Sequence, residues 1–403
     1  MHTAQHALDN VELSILMPLD GVFLLNVSEL NGTDVLASGQ EDAEYPGYAW
    51  NEVLCDSSEI TITRGLNLNA NAFAVAEASE CIAVIHGPTV DPLANDRVAP
   101  NAPMRVRVLV DDTWETLFFG RVRQMIAQYS KDRKASVTFT AYDLIRRLAN
   151  IVSTAPTQQT FANRLTTLAT TGGTTVTTTG GMTTLAPKAS NASVWDIMNI
   201  AATSEGGFVY ANRQGTLEAR GRNATPGSNV IEFSDIHGAY DDHFSTEFQI
   251  ENPLHSCYTD IDISYDTTNV YNSLTISNIA GVDDEGEDVA TKMPVYTDID
   301  SIEGHGEVNA NLLTNLVDTT AVEALRDYIF TNFADPVKRV NSVTFNPDAY
   351  WQTLVDVGDY AGVVFHNSSG SVFVDSSFLI TGVTHKIYPE GWTMELSLFG
   401  DAT

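Results

Sequence analysis

The sequence predicts a mainly β chain with short helices (α+β), built as two β-barrel domains with a small α/β insertion between them. Three observations predict it. Apolar and polar residues alternate with period two in both halves. Helix signatures are confined to a few short stretches. The two halves also share one plan of alternating strands plus one short helix. At 403 residues the chain exceeds one ordinary core. It divides into a first β domain (1–150), an insertion (151–225) and a second β domain (226–403) with one helix at about 320–335.

In chain order, "SEITITRG" (58–65) alternates Ile60 and Ile62 with polar neighbours, the pattern of a half-buried strand. "FAVAEA" (73–78) and "CIAVIHG" (81–87) continue the sheet, and the Pro/Asn/Asp-rich stretch 87–103 punctuates it. "RVRVLVDDTWETLFFGRV" (105–122) reads as a hairpin around an acidic turn. In "ASVTFTAYDLIRRLAN" (135–150), Val137 and Phe139 alternate in a strand. A short helix then begins from Thr140, with Leu144, Ile145 and Leu148 on its apolar face.

The insertion opens on a Thr/Gly-rich stretch, 170–184, that reads as loop or weak strand. A clearer helix follows: Ser193 and Asp196 suit its start, Val194, Ile197, Met198 and Ala201 form a face, and Gly206-Gly207 ends it. "FVYANRQGTLEAR" (208–220) is a hairpin turning at 212–215. In the second β domain, Thr320 and Glu323 read as a capping box, and Val322, Leu325, Ile329 and Phe333 share a helix face ahead of Pro336. "VNSVTFNP", "LVDVGDYAGVVF", "SSFLITGVTHKIYP" and "GWTMELSLF" then read as successive strands.

Composition narrows the function. A net charge of −31, from 52 acids against 21 bases, repels nucleic acid and disfavours a DNA- or RNA-binding role. Acidity of this size also suits adaptation to high salt, and composition leaves that open. The three cysteines, Cys55, Cys81 and Cys257, are too scattered for a disulfide framework or a zinc site. The first ten residues lack the basic region and apolar stretch of a secretory signal. No apolar run approaches the ~20 residues that span a bilayer, so no membrane insertion is expected.

Charge is unevenly placed. Asp235 to Glu307 carries 17 acids and one base, Lys292, whereas Arg97 to Arg147 carries ten bases and five acids. Such polarity suits contact between copies, basic flanks of one meeting acidic flanks of the next, as well as plain solubility. Arg105 and Arg107 share one strand face, and Arg121 and Arg123 repeat the spacing on the partner strand. These four are the candidate inter-subunit contacts.

Catalysis has no positive support. Nucleophile elbow, zinc helix, phosphate loop and dinucleotide fingerprint are all missing from the sequence, and no catalytic residue, metal or cofactor is expected. "DIHGAYDDH" (235–243) holds His237, Asp241, Asp242 and His243, able to bind a metal but matching no ligand spacing. "DDEGED" (283–288) lacks the alternation of a calcium loop and reads as an exposed turn.

The order of these segments resembles the minor tail proteins of long-tailed bacteriophages, the tail-tip or baseplate hub family related to the central hub of T-even phages. The match is carried by "WNEVLCDSSEITITRG", "DPLANDRVAPNAPMRVRVLVDDTWETLFFGRV", "VTFTAYDLIRRLA" and "IMNIAATSEGGFVYANRQGTLEAR". "VEALRDYIFTNFADPVKRVNSVTF", "VDVGDYAGVVF" and "FLITGVTHKIYPEGWTMELSLF" extend it to the C-terminal part. Residues 1–45 and 235–307 map poorly. The resemblance implies two tube-like β-barrels per chain and a homotrimer forming a pseudo-sixfold, non-enzymatic ring at the virion tail tip. Its implied partners are the tail tube or distal tail protein, the tape measure protein and tip or fibre proteins, with DNA only in passage through the channel. A carbohydrate-binding or adhesion β protein is the alternative reading.

Overall fold

In the computed structural model, residues 8–18, 48–55, 57–67, 75–86, 91, 98–131, 135–189, 192–235, 255–265, 267, 269–347, 349–366 and 369–400 are described. The first part contains β1 (Val11–Pro18), β2 (Tyr48–Glu52), β3 (Glu59–Asn67), β4 (Val75–Ala76), β5 (Glu80–His86), β6 (Pro103–Val110), β7 (Thr113–Tyr129) and β8 (Ala135–Tyr142). Helix α1 (Leu144–Leu148) closes it. The insertion holds β9 (Gln159–Thr160), α2 (Phe161–Thr171), β10 (Val176–Thr179), β11 (Thr184–Leu185), α3 (Val194–Glu205), β12 (Phe208–Ala211) and β13 (Leu217–Arg220). Next come β14 (Asn229–Ser234), β15 (His255–Cys257), β16 (Asp260–Tyr265), β17 (Ser273–Val282), β18 (Asp288–Lys292) and β19 (Tyr296–Thr297). Helix α4 (Ile299–His305), β20 (Asn309–Thr314) and α5 (Thr319–Phe333) lead to β21 (Lys338–Phe345), β22 (Tyr360–His366), β23 (Val372–Tyr388) and β24 (Gly391–Phe399).

The mainly β expectation holds, and the strands repeat one topology. The first part pairs in the order β2-β1-β6-β7-β8-β5-β3. The last part pairs in the order β15-β14-β22-β23-β24-β21-β16. Read in chain order, β1, β2, β3, β5, β6, β7 and β8 correspond to β14, β15, β16, β21, β22, β23 and β24. One strand differs in direction: β1 is antiparallel to both neighbours, and β14 is parallel to both. The correspondence extends to detail, since β7 and β23 are both 17 residues long. Each also carries a bulge midway, at Arg123 and at Thr381, where one strand has an extra residue.

Strand β3 pairs antiparallel with the second half of β23, from Gly65 opposite Gly382 to Ile60 opposite Ile387, and this joins the two repeats into one sheet. A Cβ on Gly65 would lie 3.1 Å from the Gly382 Cα, so a side chain there would have to push the two strands apart by a few tenths of an ångström. The expected barrels are not closed by strand pairing among the described residues. In each repeat, however, a single segment leads from one edge strand to the other. β2 runs on through 53–58 into β3, and β15 runs on through Tyr258-Thr259 into β16. One apolar core extends through both repeats and the insertion.

Between β16 and β21 the chain leaves the large sheet. Strands β17–β20 form a separate sheet centred on β17. That sheet packs on the insertion. Arg164 of α2 is fully buried and donates to Asn315 Oδ1 (2.9 Å) and the Ala186 carbonyl (2.7 Å). Lys188 forms an ion pair with Asp288, and Leu185 bridges to Leu316.

Helix starts test the local readings. The Ser193–Asp196 capping box and left-handed Gly206 (φ +74°) bound α3 as expected. Asp143, not Thr140, caps α1, because Thr140 is still paired in β8. Asp318, not Thr320, caps α5 through Ala321 N–H at 2.9 Å. Helices α2 and α4 were not expected. In α2, Thr166, Thr167, Thr170 and Thr171 return their hydroxyls to the carbonyls four residues back. Burial of Phe161, Leu165 and Leu168 outweighs the low helix preference of those threonines.

Candidate functional site

The hairpin β6–β7 turns at Asp111-Asp112, both at positive φ (46° and 64°), as a two-residue hairpin turn requires. This geometry sets Arg105 and Arg107 on one face of β6, two residues apart and level with Glu12 on β1. Arg105 reaches Glu12 Oε1 at 3.3 Å, and Arg107 pairs with Oε2. Burial raises the Glu12 carboxyl, but hydrogen bonds from Arg107 and Ser14 and the charges of both arginines outweigh it and hold it below the usual carboxylate range. Arg105 also stacks on Trp50, 4.1 Å from the ring centre, and Arg107 lies 5.3 Å over Trp114. Both arginines are thus held within their own chain, and their side chains remain about one fifth exposed (20% and 23%).

Arg121, two residues beyond the Phe119 that opposes Arg105, lies on the same strand face as Arg105, whereas the bulge takes Arg123 out of that alternation. Arg121 donates to the Asn101 carbonyl at 3.1 Å, while Arg123 is the bulge residue and is exposed. With Arg146 and Arg147 they line a cavity of about 620 Å³ next to Tyr142 and Asp143. Sequence spacing could not join these two arginine pairs. β7 and α1 meet only because β8 folds between them.

The repeats are locked by a carboxylate that sequence reasoning passed over. Asp356, in the turn before β22, pairs through Oδ1 with the buried Arg64 of β3 and accepts the Arg213 N–H through Oδ2 at 2.8 Å. Arg213 then donates to the Thr116 carbonyl (2.7 Å) and pairs with Glu115 (3.3 Å). One side chain therefore connects both repeats and the insertion. His385 of β23, opposite Ile62 in the joint and edge-on to Trp392, is fully buried, with neither ring nitrogen hydrogen-bonded among the described residues. Burial, with the Arg64 charge adding, pushes its pKa down to about 3.

The acidic stretches divide. His237, Asp241, Asp242 and His243 lie outside the described residues. "DDEGED" forms the β17–β18 turn, where Asp283 accepts the Glu285 and Glu287 N–H groups at 3.1 and 2.8 Å. Asp288 is engaged with Lys188. Asp260 and Asp262 of β16 are exposed.

The arrangement supplies charged and apolar contact surfaces. Among the described residues no group of three or more His, Cys, Asp or Glu is placed to hold a metal, and no helix is long and apolar enough to cross a membrane.

No family model and no curated protein matches the chain. Solved structures do. The tail protein from Neisseria meningitidis is 14% identical, with 97% of each chain covered and a TM-score of 0.55. The 43 kDa tail protein of prophage MuSo2 from Shewanella oneidensis is 12% identical, covering 87% of this chain and 95% of that one, with a TM-score of 0.54. The chain has the fold of phage tail proteins, as the sequence resemblance led us to expect.

Proposed function

We propose that this chain is a structural virion protein that forms a trimeric tail-tip or baseplate hub ring. The observation that carries the proposal is the repeated strand order. Two equivalent sheets joined edge to edge in one chain would let three chains present six similar units to a tail tube. In this reading each repeat is a tube-like barrel, closed by the segment that runs from one edge strand to the other. The ring joins the tail tube or distal tail protein above to the tip, fibres or spike below, and it surrounds the path of the tape measure protein and DNA.

The domain division at residues 150 and 225 and the contact role of Arg105, Arg107, Arg121 and Arg123 belong to the same proposal. Arg105 and Arg107 can add a neighbour's carboxylate to the one they already hold, and Arg123 faces outward at the bulge. Exposed acids such as Asp260 and Asp262 would keep a passing polyanion from adhering where they face the channel. The role is architectural rather than catalytic, at the tail tip of the virion.

Light scattering coupled to size exclusion, at low and high salt, tests the proposal. The expected mass is three times the 43.8 kDa chain, about 131 kDa, or a salt-dependent mixture of that species with monomer. A strict monomer that binds a glycan array would overturn it in favour of an adhesion module.

A further inference from the structure

The molecule contains one completed joint between repeats and the two halves of a second, uncompleted one. In the completed joint, Ile60, Ile62 and Arg64 of β3 oppose Ile387, His385 and Val383 of β23. Five of these residues are 0% exposed and Arg64 is 2%. The topological correspondence assigns β3 to β16 and β23 to β7. Aligning the shared bulges places Met125, Ala127 and Tyr129 at the positions of Val383, His385 and Ile387. Aligning the ladders β3·β5 and β16·β21 places Ile261, Ile263 and Tyr265 at the positions of Ile60, Ile62 and Arg64.

Both counterparts are open. Strand β6 pairs with β7 only as far as Arg121, so from Gln124 to Tyr129 β7 pairs with β8 alone among the described strands. The outer edge of β16, beyond its pairing with β21, likewise has no strand partner among the described residues. The side chains reflect this. Met125, Ala127, Ile261 and Ile263 are half-buried where their counterparts are fully buried. Tyr129 is 47% and Tyr265 67% exposed, and Tyr129 retains one hydrogen bond to Asp91. An exposed, apolar strand edge is a template for pairing with another chain. Charge agrees: 123–131 carries Arg123 and Lys131 with no acid, and β16 carries Asp260 and Asp262 with no base.

We infer that β16 of one copy pairs antiparallel with residues 124–129 of β7 in the next copy, in the register of the completed joint. Ile261 then opposes Tyr129, Ile263 opposes Ala127, and Tyr265 opposes Met125. This rests on the reading of the chain as a ring-forming subunit and supplies the contact that reading lacks. Each copy donates one edge and accepts one, so the contact propagates head to tail until it closes.

Paired cysteines test the register. Opposed residues in antiparallel strands alternate between close and wide pairs. We therefore combine Ile263→Cys with Ala127→Cys in one full-length variant, and Ser264→Cys with Ile126→Cys in a second. Under mild oxidation at least one should give covalent dimers and trimers on denaturing gels, absent from each single variant. Ser264→Cys with Ala127→Cys, a slip of one residue that sets the thiols on opposite faces, should not cross-link. Oligomers by light scattering without a cross-link in either opposed pair would overturn the strand joint and leave the ring standing. A chain that stays monomeric and uncross-linked at every concentration would overturn both.

Discussion

The joint β3·β23 and its open counterpart use the same strands of two repeats, yet only one hides its residues. Ile60 and Ile62 are wholly buried, whereas Ile261 and Ile263 at the matching positions are half-buried. The completed joint also confines an arginine and a histidine in its core, and the open one ends on an exposed tyrosine. The difference teaches that burial in this molecule is set by what lies across a strand edge, and only secondarily by the strand's own sequence. "EITITR" and "DIDISY" carry the same alternation and meet different surroundings.

The comparison breaks most visibly at Asp356. Removing it in Asp356→Ala takes the ion-pair partner from the buried Arg64 guanidinium and frees the Arg213 N–H. Breaking such a buried pair costs on the order of 3–5 kcal/mol, and urea unfolding should register a loss of that size. A loss under ~1 kcal/mol would mean that the repeats are held together without this lock.

A smaller effect sharpens the comparison at matched positions. Ile62→Ala empties a fully buried site and should cost about 3 kcal/mol in the isolated chain, by the range for Ile truncation in cores. Ile263→Ala removes a half-buried side chain and should cost about 1 kcal/mol there. In the assembled species the second value should rise toward the first. Equal costs in the monomer would show that the two edges are not in different states.

Smaller again is the response to pH, where the two repeats oppose each other. His385 in the second repeat has a folded pKa of about 3, against about 6.5 when unfolded. Its contribution to stability is full above pH 6.5 and falls as pH drops toward 3, by roughly 1.4 kcal/mol per pH unit. Asp143 in the first repeat is raised by burial to about 6, although it accepts the Ser79 and Ile145 N–H groups. Its contribution is full below the unfolded value and lost as pH rises through 6. Between pH 4 and 6 the two slopes nearly cancel. His385→Phe should therefore make stability rise on acidification from pH 6 to 4, and Asp143→Asn should make it fall. Urea midpoints across that range read both, and parallel profiles in the two variants would refute the assignment.

Much of the fold was legible from local pattern. β3, β5, the β6–β7 hairpin, β12–β13 and the last four strands lie where period-two alternation and turn residues put them. The α3 caps were equally plain, because a capping box and a left-handed glycine are local devices. Helix α2 was not legible, since its threonines favour other backbone and only packing against α3 and β10 overrides them. The four arginines were visible as a spacing. Their division into a Glu12-bound pair and a cavity-lining pair was not, because Glu12 lies more than ninety residues before Arg105 in the chain.

The sequence by itself determined the kinds of element, their order, the acidic and basic stretches and the hint of duplication. All of these are written in neighbouring residues through period, capping and turn chemistry. Only the tertiary structure decided which strands pair, where β7 and β23 bulge, that Asp356 meets Arg64, and that β16 and residues 124–129 of β7 keep an edge with no strand partner among the described residues. The joint between the repeats is settled by contacts between segments far apart in the chain, such as Arg64 and Asp356, 292 residues apart. The register of β3 on β23 follows from which buried surfaces fit together once the chain has closed, and no local pattern encodes that fit.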